Sequence, residues 1–416
     1  QFPGNYNYRC RKEYITSKNF GNFAAIHALP TGRGADETPW GDIVTHFPDI
    51  LGSPYAFNFH EQWSAPREPS PGHTVIVGAQ DSGKSTLAAF LAGQAIRTGA
   101  RVFVFDKDNA LEMAVRAYGG KYTNLHAGEP TGLNPFATEV DKEGVNWLAG
   151  WLEALVFGDA QMSEDQSKRL YEILNDNASA PKGLQNFSGF TPEFVSLDDD
   201  GLMLSRLKQW CKDGQFAWAF EAKNGKSFTL DDRVMGFDFT ELLDKPRFRT
   251  PILAYILRLI ERSIKDREPT LIIIDEAWKM LDDPYFVKIL KEWMVTMRKK
   301  NVAVIMMSQI VSHFSKSGIA ASISENMNTK IIFPNARAEA DGYKFFGFNE
   351  KQCEIATTAT GGMRLAMIES GSDRTMLNVD LSALGSYVTV LGGGKAGAQK
   401  YGKNWRKKEH FWKDTS

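Results

Sequence analysis

No stretch of this sequence is long and apolar enough to span a bilayer. The longer apolar runs, such as residues 271–274 and 302–307, are the length of core strands, whereas a membrane helix needs roughly 20 residues. No signal-peptide pattern is visible. Cysteine is scarce: Cys10, Cys211 and Cys353 are odd in number and far apart. That excludes a disulfide framework and a CxxC metal site, and it points to a reducing, cytosolic setting. An excess of either charge is missing too. With 49 basic and 50 acidic residues, the net charge is −1, so the surface as a whole is not an electrostatic binder of nucleic acid or membrane, although a local basic patch is allowed. Repeats and low-complexity tracts are absent. What is there is 416 residues, 43% hydrophobic and 24% charged. That is enough for a sizeable core and longer than one average domain.

Residues 1–70 are rich in glycine, proline and aromatics. Within them 55–60 alternates like a strand, and 61–72 reads as a connector. The chain opens at Gln1 without a methionine, and this segment is expected to be the end of a preceding domain. From Thr74 the texture changes. A short β-branched strand over 74–77 leads through a glycine-bearing loop into a helix over 84–98, stopped by Gly99. A second buried strand follows at 101–105, then a helix over 109–118. Strand and helix in alternation predict a mainly parallel sheet covered on both faces. Over 139–223 the β signal vanishes; Trp147, Leu148, Trp151, Leu152 and Leu155 recur at helical spacing, as do Leu170, Ile173 and Leu174, which predicts an all-α insertion. The Trp147/Trp151 stripe reads as helix packing rather than base stacking. The α/β pattern resumes with strands at 233–238, 271–274, 302–307 and 330–333 and helices over 251–265 and 285–300. The expected organisation is therefore a core of 71–138 and 224–391, an insertion of 139–223, and a basic tail of 392–416. That tail reads either as a solvated extension or as a docking segment for a partner or nucleic acid.

The residues Gly78-Ala79-Gln80-Asp81-Ser82-Gly83-Lys84-Ser85 fit GxxxxGK[ST] between a strand and a helix. Glycines let successive N–H groups turn toward one point, the helix N-terminus adds positive potential, and Lys84 brings a point charge to the β- and γ-phosphates. Ser85 is the natural magnesium ligand, with Thr86 as a second hydroxyl beside it. Asp81 adds negative charge close to the phosphates, which weakens nucleotide affinity. The strand at 271–274 ends in Asp275-Glu276: Asp275 suits a water-mediated magnesium contact, and Glu276 suits polarising an attacking water. That arrangement favours an ATPase over a small-molecule kinase. The strand at 302–307 ends in Ser308-Gln309, where an amide can sense the γ-phosphate, or merely form a turn. Arg298, with Lys299 and Lys300, ends a helix, so it is either a cation that suits the helix dipole or an arginine finger for a neighbouring subunit. Arg337 is a weaker candidate of the same kind. Asp106 and Asp108, at the end of the second strand, serve either the metal or a turn.

Taken together, these motifs resemble a known family. Phe57-Asn58-Phe59-His60, Leu133-Asn134-Pro135-Phe136, Phe237-Asp238-Phe239-Thr240-Glu241-Leu242, Asp275-Glu276-Ala277-Trp278-Lys279-Met280-Leu281, Arg298-Lys299-Lys300-Asn301, Ser308-Gln309 and Phe333-Pro334-Asn335 occur in this order. The order is similar to that in the ATPase domain of the CagE/TrbE/VirB family of type IV secretion and conjugal transfer machines. The likeness spans about 40–380. It implies a RecA-like P-loop NTPase core with a helical insertion, ATP and Mg²⁺ as ligands, and assembly into a hexamer, with a monomer as the alternative for this fragment alone. It further implies docking beside other secretion components at the cytoplasmic face of the inner membrane, and it raises Arg298 as the trans-acting arginine. Two other readings stay open: a DNA-translocating ATPase, with DNA as partner, and a nucleotide-binding structural subunit with little turnover.

Overall fold

A computed structural model describes residues 16–17, 29–60, 70–157, 162–196, 201–220, 228–264, 267–281, 284–318, 320–358, 364–402 and 404–413. The apolar runs become β3 (Thr74–Val77), β4 (Arg101–Asp106), β6 (Val234–Asp238), β7 (Thr270–Ile274), β8 (Val302–Ser308) and β9 (Thr329–Ile332), joined by the shorter β5 (Lys121–Asn124). These strands are parallel to one another. Two further strands, β10 (Leu365–Ser370) and β11 (Asp373–Asn378), extend the β9 edge as an antiparallel hairpin. The nine strands lie in the order β11-β10-β9-β3-β8-β7-β4-β6-β5.

Burial on both faces explains why the central strands read as unbroken apolar runs. Phe103, Phe105, Ile272, Ile274, Val304 and Met306 face one core; Val102, Val104, Leu271, Ile273, Ala303 and Ile305 face the other. The second core is closed by the Lys84–Arg97 helix and by an N-terminal hairpin of β1 (Thr45–Pro48) and β2 (Pro54–Phe57). Trp40, Phe47, Phe57 and Phe59 of that region join it.

Between β5 and β6 the described residues carry helices and no strand, chiefly Lys142–Phe157 and Glu164–Ser179. These helices pack onto the sheet's other face as part of the same core. Trp151 is fully buried and donates Nε1–H to the Pro251 carbonyl at 3.2 Å, so it is a packing residue. Glu139, without exposed surface, accepts from Arg258 and Arg262 at 3.2 and 3.0 Å and ties this segment to the Pro246–Ser263 helix.

The described residues of the tail fold back on the domain. Tyr401, Trp405 and Phe411 are buried against Met113 and Val390, and Arg406 forms a bidentate pair with the wholly buried Glu112. The aromatics interleaved with its basic residues provide the driving force. Lys403, residues 414–416 and the Lys395 side chain lie outside the described residues, as does Cys10. Among the described residues no helix is long and apolar enough to cross a membrane.

Candidate nucleotide site

The C-terminal ends of β3, β8, β7, β4 and β6 lie along one sheet edge, because their registers align Val77 with Ser308, Phe105 with Ile274, and Asp106 with Asp238. In a parallel sheet this is the edge where ligands bind. The phosphate loop, Asp106, Asp238, Asp275-Glu276 and Ser308-Gln309 all follow or end strands at that edge.

At the end of β3 the chain turns through Gly78, whose N–H donates to the Ser308 carbonyl at 3.3 Å. A side chain is excluded at this position: a Cβ would lie 2.6 Å from Ser82 Oγ and 2.7 Å from Phe333 Cβ. Asp81 and Gly83 adopt left-handed backbone, with φ of 60° and 101°, and the helix begins at Lys84. The Asp81 side chain is exposed. Lys84 is buried, with Nζ donating to the Gly78 and Ala79 carbonyls at 2.7 and 2.8 Å. Burial pulls its pKa below that of an ordinary lysine, and the charges of Asp275, Glu276 and Asp81 oppose that pull. Ser82 Oγ is buried in the loop with no hydrogen-bond partner, so a donor is available to a phosphate oxygen.

β7 delivers the carboxylates. The Asp275 N–H donates to the Phe105 carbonyl at 2.8 Å, which holds the strand end beside β4. Burial, then the neighbouring Glu276, pushes the Asp275 carboxyl up to about 6. Glu276 is buried and has φ of 48°, a left-handed conformation that is uncommon and strained for a residue other than glycine. Gln309, just past β8, donates Nε2–H to Glu276 Oε1 at 2.5 Å. Its turn is held by Ser308 Oγ, which lies 2.9 Å from His313 Nδ1 and donates to the Ile310 carbonyl at 3.1 Å. The structure thus brings Lys84, Asp275, Glu276 and Gln309 to one edge.

Other candidates fall differently. Asp106 is buried and accepts from the Tyr122 hydroxyl and from the Lys107 and Leu111 N–H groups. Burial, with the Asp275 charge adding, raises its pKa well above the usual carboxylate range. Asp108 is paired with Lys107 at 2.5 Å. Both therefore form the turn after β4. Arg298 lies in the Pro284–Lys299 helix, but its side chain is outside the described residues. Arg337 is exposed. His60 and His73 are buried, and among the described residues no three His, Cys, Asp or Glu groups gather as a metal cage. The donor set nonetheless suits a magnesium ion that arrives with phosphates. Such an ion needs only one or two protein oxygens, and Ser85 and Asp275 are the residues that would hold it. Arg364, which sequence reasoning missed, donates Nη1–H to the Ser82 and Asp81 carbonyls at 3.1 and 3.4 Å. A single arginine outside any motif gave no signal.

This geometry defines the class as a RecA-like P-loop NTPase fold. The solved structure of VirB4 from Thermoanaerobacter pseudethanolicus superposes with a TM-score of 0.64 at 15% identity, covering 82% of this chain and 96% of that one. The plasmid coupling protein TrwB, bound to a GTP analogue, superposes at 0.50 with 14% identity, over 74% and 85% of the respective chains. In sequence the chain is homologous to VirB4-type secretion proteins. It is 30% identical to VirB4 of Bartonella quintana over 397 residues, 94% of this chain and 49% of that protein. PtlC of Bordetella pertussis is 29% identical over 414 residues, with coverages of 94% and 50%. The chain spans about half the length of these curated relatives. No family model matches it.

Proposed function

We propose that this domain binds ATP with magnesium and hydrolyses it, and that the full-length protein uses the energy to drive assembly of, or transfer through, a bacterial type IV secretion or conjugation channel. The observation that carries the reading is the meeting of Glu276 and Gln309 at the ends of β7 and β8, beside the strand that feeds the phosphate loop. Lys84 supplies a fixed positive charge to the β- and γ-phosphates, and the loop N–H groups and the Ser82 hydroxyl complete the cradle. Ser85 and Asp275 would hold magnesium, which when bound neutralises charge developing on the phosphoryl oxygens. Glu276 takes a proton from the attacking water, and Gln309, anchored on the same carboxylate, aims that water in line with the terminal phosphate. Arg298 reaches the site of a neighbouring copy in a hexamer. Homology to VirB4 and PtlC, both named as type IV secretion proteins, supports the secretion role and a place at the cytoplasmic face of the inner membrane beside other channel components.

The test separates binding from turnover. Glu276→Gln keeps the side-chain shape and removes the base, so nucleotide binding should persist while hydrolysis stops. Collapse of ATP binding along with turnover would make Glu276 a structural residue or a metal ligand. Turnover that is indifferent to added DNA is expected; strong stimulation would favour a DNA-translocating motor.

A further inference from the structure

Ser308, the last residue of β8, is 1% exposed and all of its polar atoms are engaged. Its carbonyl accepts from the Gly78 N–H of the phosphate loop at 3.3 Å. Its hydroxyl closes a ring around Gln309, donating to the Ile310 carbonyl at 3.1 Å and accepting from the Ile310 N–H at 3.3 Å. The same oxygen lies 2.9 Å from His313 Nδ1. Gln309 therefore sits between two residues tied to each other, with its amide on Glu276.

A hydroxyl has one proton and two lone pairs. The Ile310 carbonyl takes the Ser308 proton and the Ile310 N–H takes one lone pair, which leaves the second lone pair for His313. That contact is a hydrogen bond only when Nδ1 carries a proton and donates it. A bare Nδ1 would compete with the Ile310 carbonyl for the single Ser308 proton, and the turn would lose one bond or the other. The bonds around an imidazole decide which nitrogen is protonated, and here they select Nδ1–H. The backbone beneath the ring is fixed. His313 belongs to the short helix Ser312–Ser315, and its N–H donates to the Ile310 carbonyl at 3.3 Å. On either side of that turn Val311 and Phe314 are buried in the core. Val311 seats against Gly342 so closely that a Cβ there would lie 2.2 Å from its Cγ1.

We propose that His313 is a positioning residue for hydrolysis: it donates Nδ1–H to Ser308, leaves the Ser308 proton to the Ile310 carbonyl, and so holds the turn that aims Gln309 at Glu276. The proposal rests on the ATPase reading above. His313 acts through Ser308 and Gln309 on the attacking water, so its loss should appear in kcat and leave the KM for ATP alone.

The experiment is steady-state ATP turnover of the 416-residue chain with magnesium. His313→Leu, which has no donor, should lower kcat about tenfold at unchanged KM. His313→Asn places an amide N–H close to where Nδ1–H stood and should recover most of that loss. In a Gln309→Ala chain the turn has nothing left to aim, so adding His313→Leu should cost no more than about twofold. Wild-type kcat in His313→Leu would overturn the proposal, and so would a loss in His313→Asn as large as in His313→Leu. A further tenfold loss in the Gln309→Ala chain would overturn it too, making His313 a support of the fold. Ring nitrogen-15 resonances of the unmodified chain, with His313 assigned by the signal missing in His313→Asn, give a readout that needs no active variant. Nδ1 should carry a proton, and a bare Nδ1 would overturn the proposal whatever the kinetics. Full turnover in Gln309→Ala alone would leave the ATPase reading standing and the proposal refuted. Absence of turnover in the unmodified chain would remove the ATPase reading itself, and the proposal with it.

Discussion

The phosphate loop and the acidic end of β7 lie one strand apart, yet they are in opposite electrostatic condition. In the loop the charged group is already provided for: Lys84 donates to two carbonyls of its own turn, and glycine supplies the tightest backbone position. At the end of β7 two carboxylates follow one another in the chain. One of them is pushed up to about 6, and the other sits in backbone that a glutamate seldom adopts. The charge in the loop is thus already satisfied, whereas the acidic end carries a cost that a bound cation would relieve. A nucleotide that brings its own divalent metal suits both at once.

The largest expected effect breaks the comparison by withdrawing a charge that comes from outside the chain. If Arg298 acts on a neighbouring copy, Arg298→Ala should lose roughly 10³–10⁵ in rate, the scale of arginine fingers. Mixing that variant with Lys84→Ala should restore turnover, because some sites then combine an intact loop with an intact arginine. No recovery in a mixture shown by mass to co-assemble would count against the trans role. Full activity of Arg298→Ala alone would leave the residue as a helix-end cation.

Next in size is the loop itself. Lys84→Ala should lower hydrolysis by at least roughly 10²–10³-fold, the scale for removing one preorganised stabilising group, with the thermal unfolding midpoint nearly unchanged. Wild-type turnover in this variant would sink the assignment.

The smallest effect concerns stability and sharpens the contrast at β7. Asp275 titrates higher in the folded chain, about 6 against an ordinary 3.8, so the folded state holds its proton longer than the unfolded one. The stability this provides is fully present below pH 3.8 and is lost as pH rises through 6. Asp275→Asn never ionises. At pH 8, without nucleotide, it should be more stable than the parent by up to about 3 kcal/mol, read as a higher urea midpoint. The gain should vanish by pH 4, and a gain of equal size at both pH values would show that charge is not its cause.

Much of the scaffold could be read before any coordinates. Strands buried on both faces announce themselves as apolar runs, and the loop's glycine spacing carries its own geometry. The sequence reads the Pro246–Ser263 helix as 251–265. It begins five residues earlier, with Pro246 at its first position and Pro251 held by the core around it. The β10–β11 hairpin went unread because its sequences, Leu-Ala-Met-Ile-Glu-Ser and Asp-Arg-Thr-Met-Leu-Asn, alternate irregularly, with only Gly371 to mark the turn. The residue types at Glu276 and Gln309 were legible, but their contact was not. It depends on β7 and β8 being neighbours, and on a positive φ that a glutamate gives no reason to expect. Arg364 reaches the loop from 282 positions beyond Ser82 in the chain, and sequence spacing holds no trace of it.

The folded-back tail has a consequence in time. Glu112 and Arg406 are 294 residues apart, and ribosomes add roughly 5–20 residues per second. A newly made chain therefore holds the Glu112 helix without its main partner for about 15–60 s. During that interval Arg116 is the other arginine paired with this carboxylate, and Met113 lacks the aromatics that later cover it. All nine strands of the large sheet have been synthesised by Asn378, yet the surface of the Glu112 helix stays unfinished until Trp405, Arg406 and Phe411 arrive. A product cut short just before Trp405 would have every catalytic motif and still present the cell with an apolar, acidic scar, the kind of surface that chaperones and proteases survey.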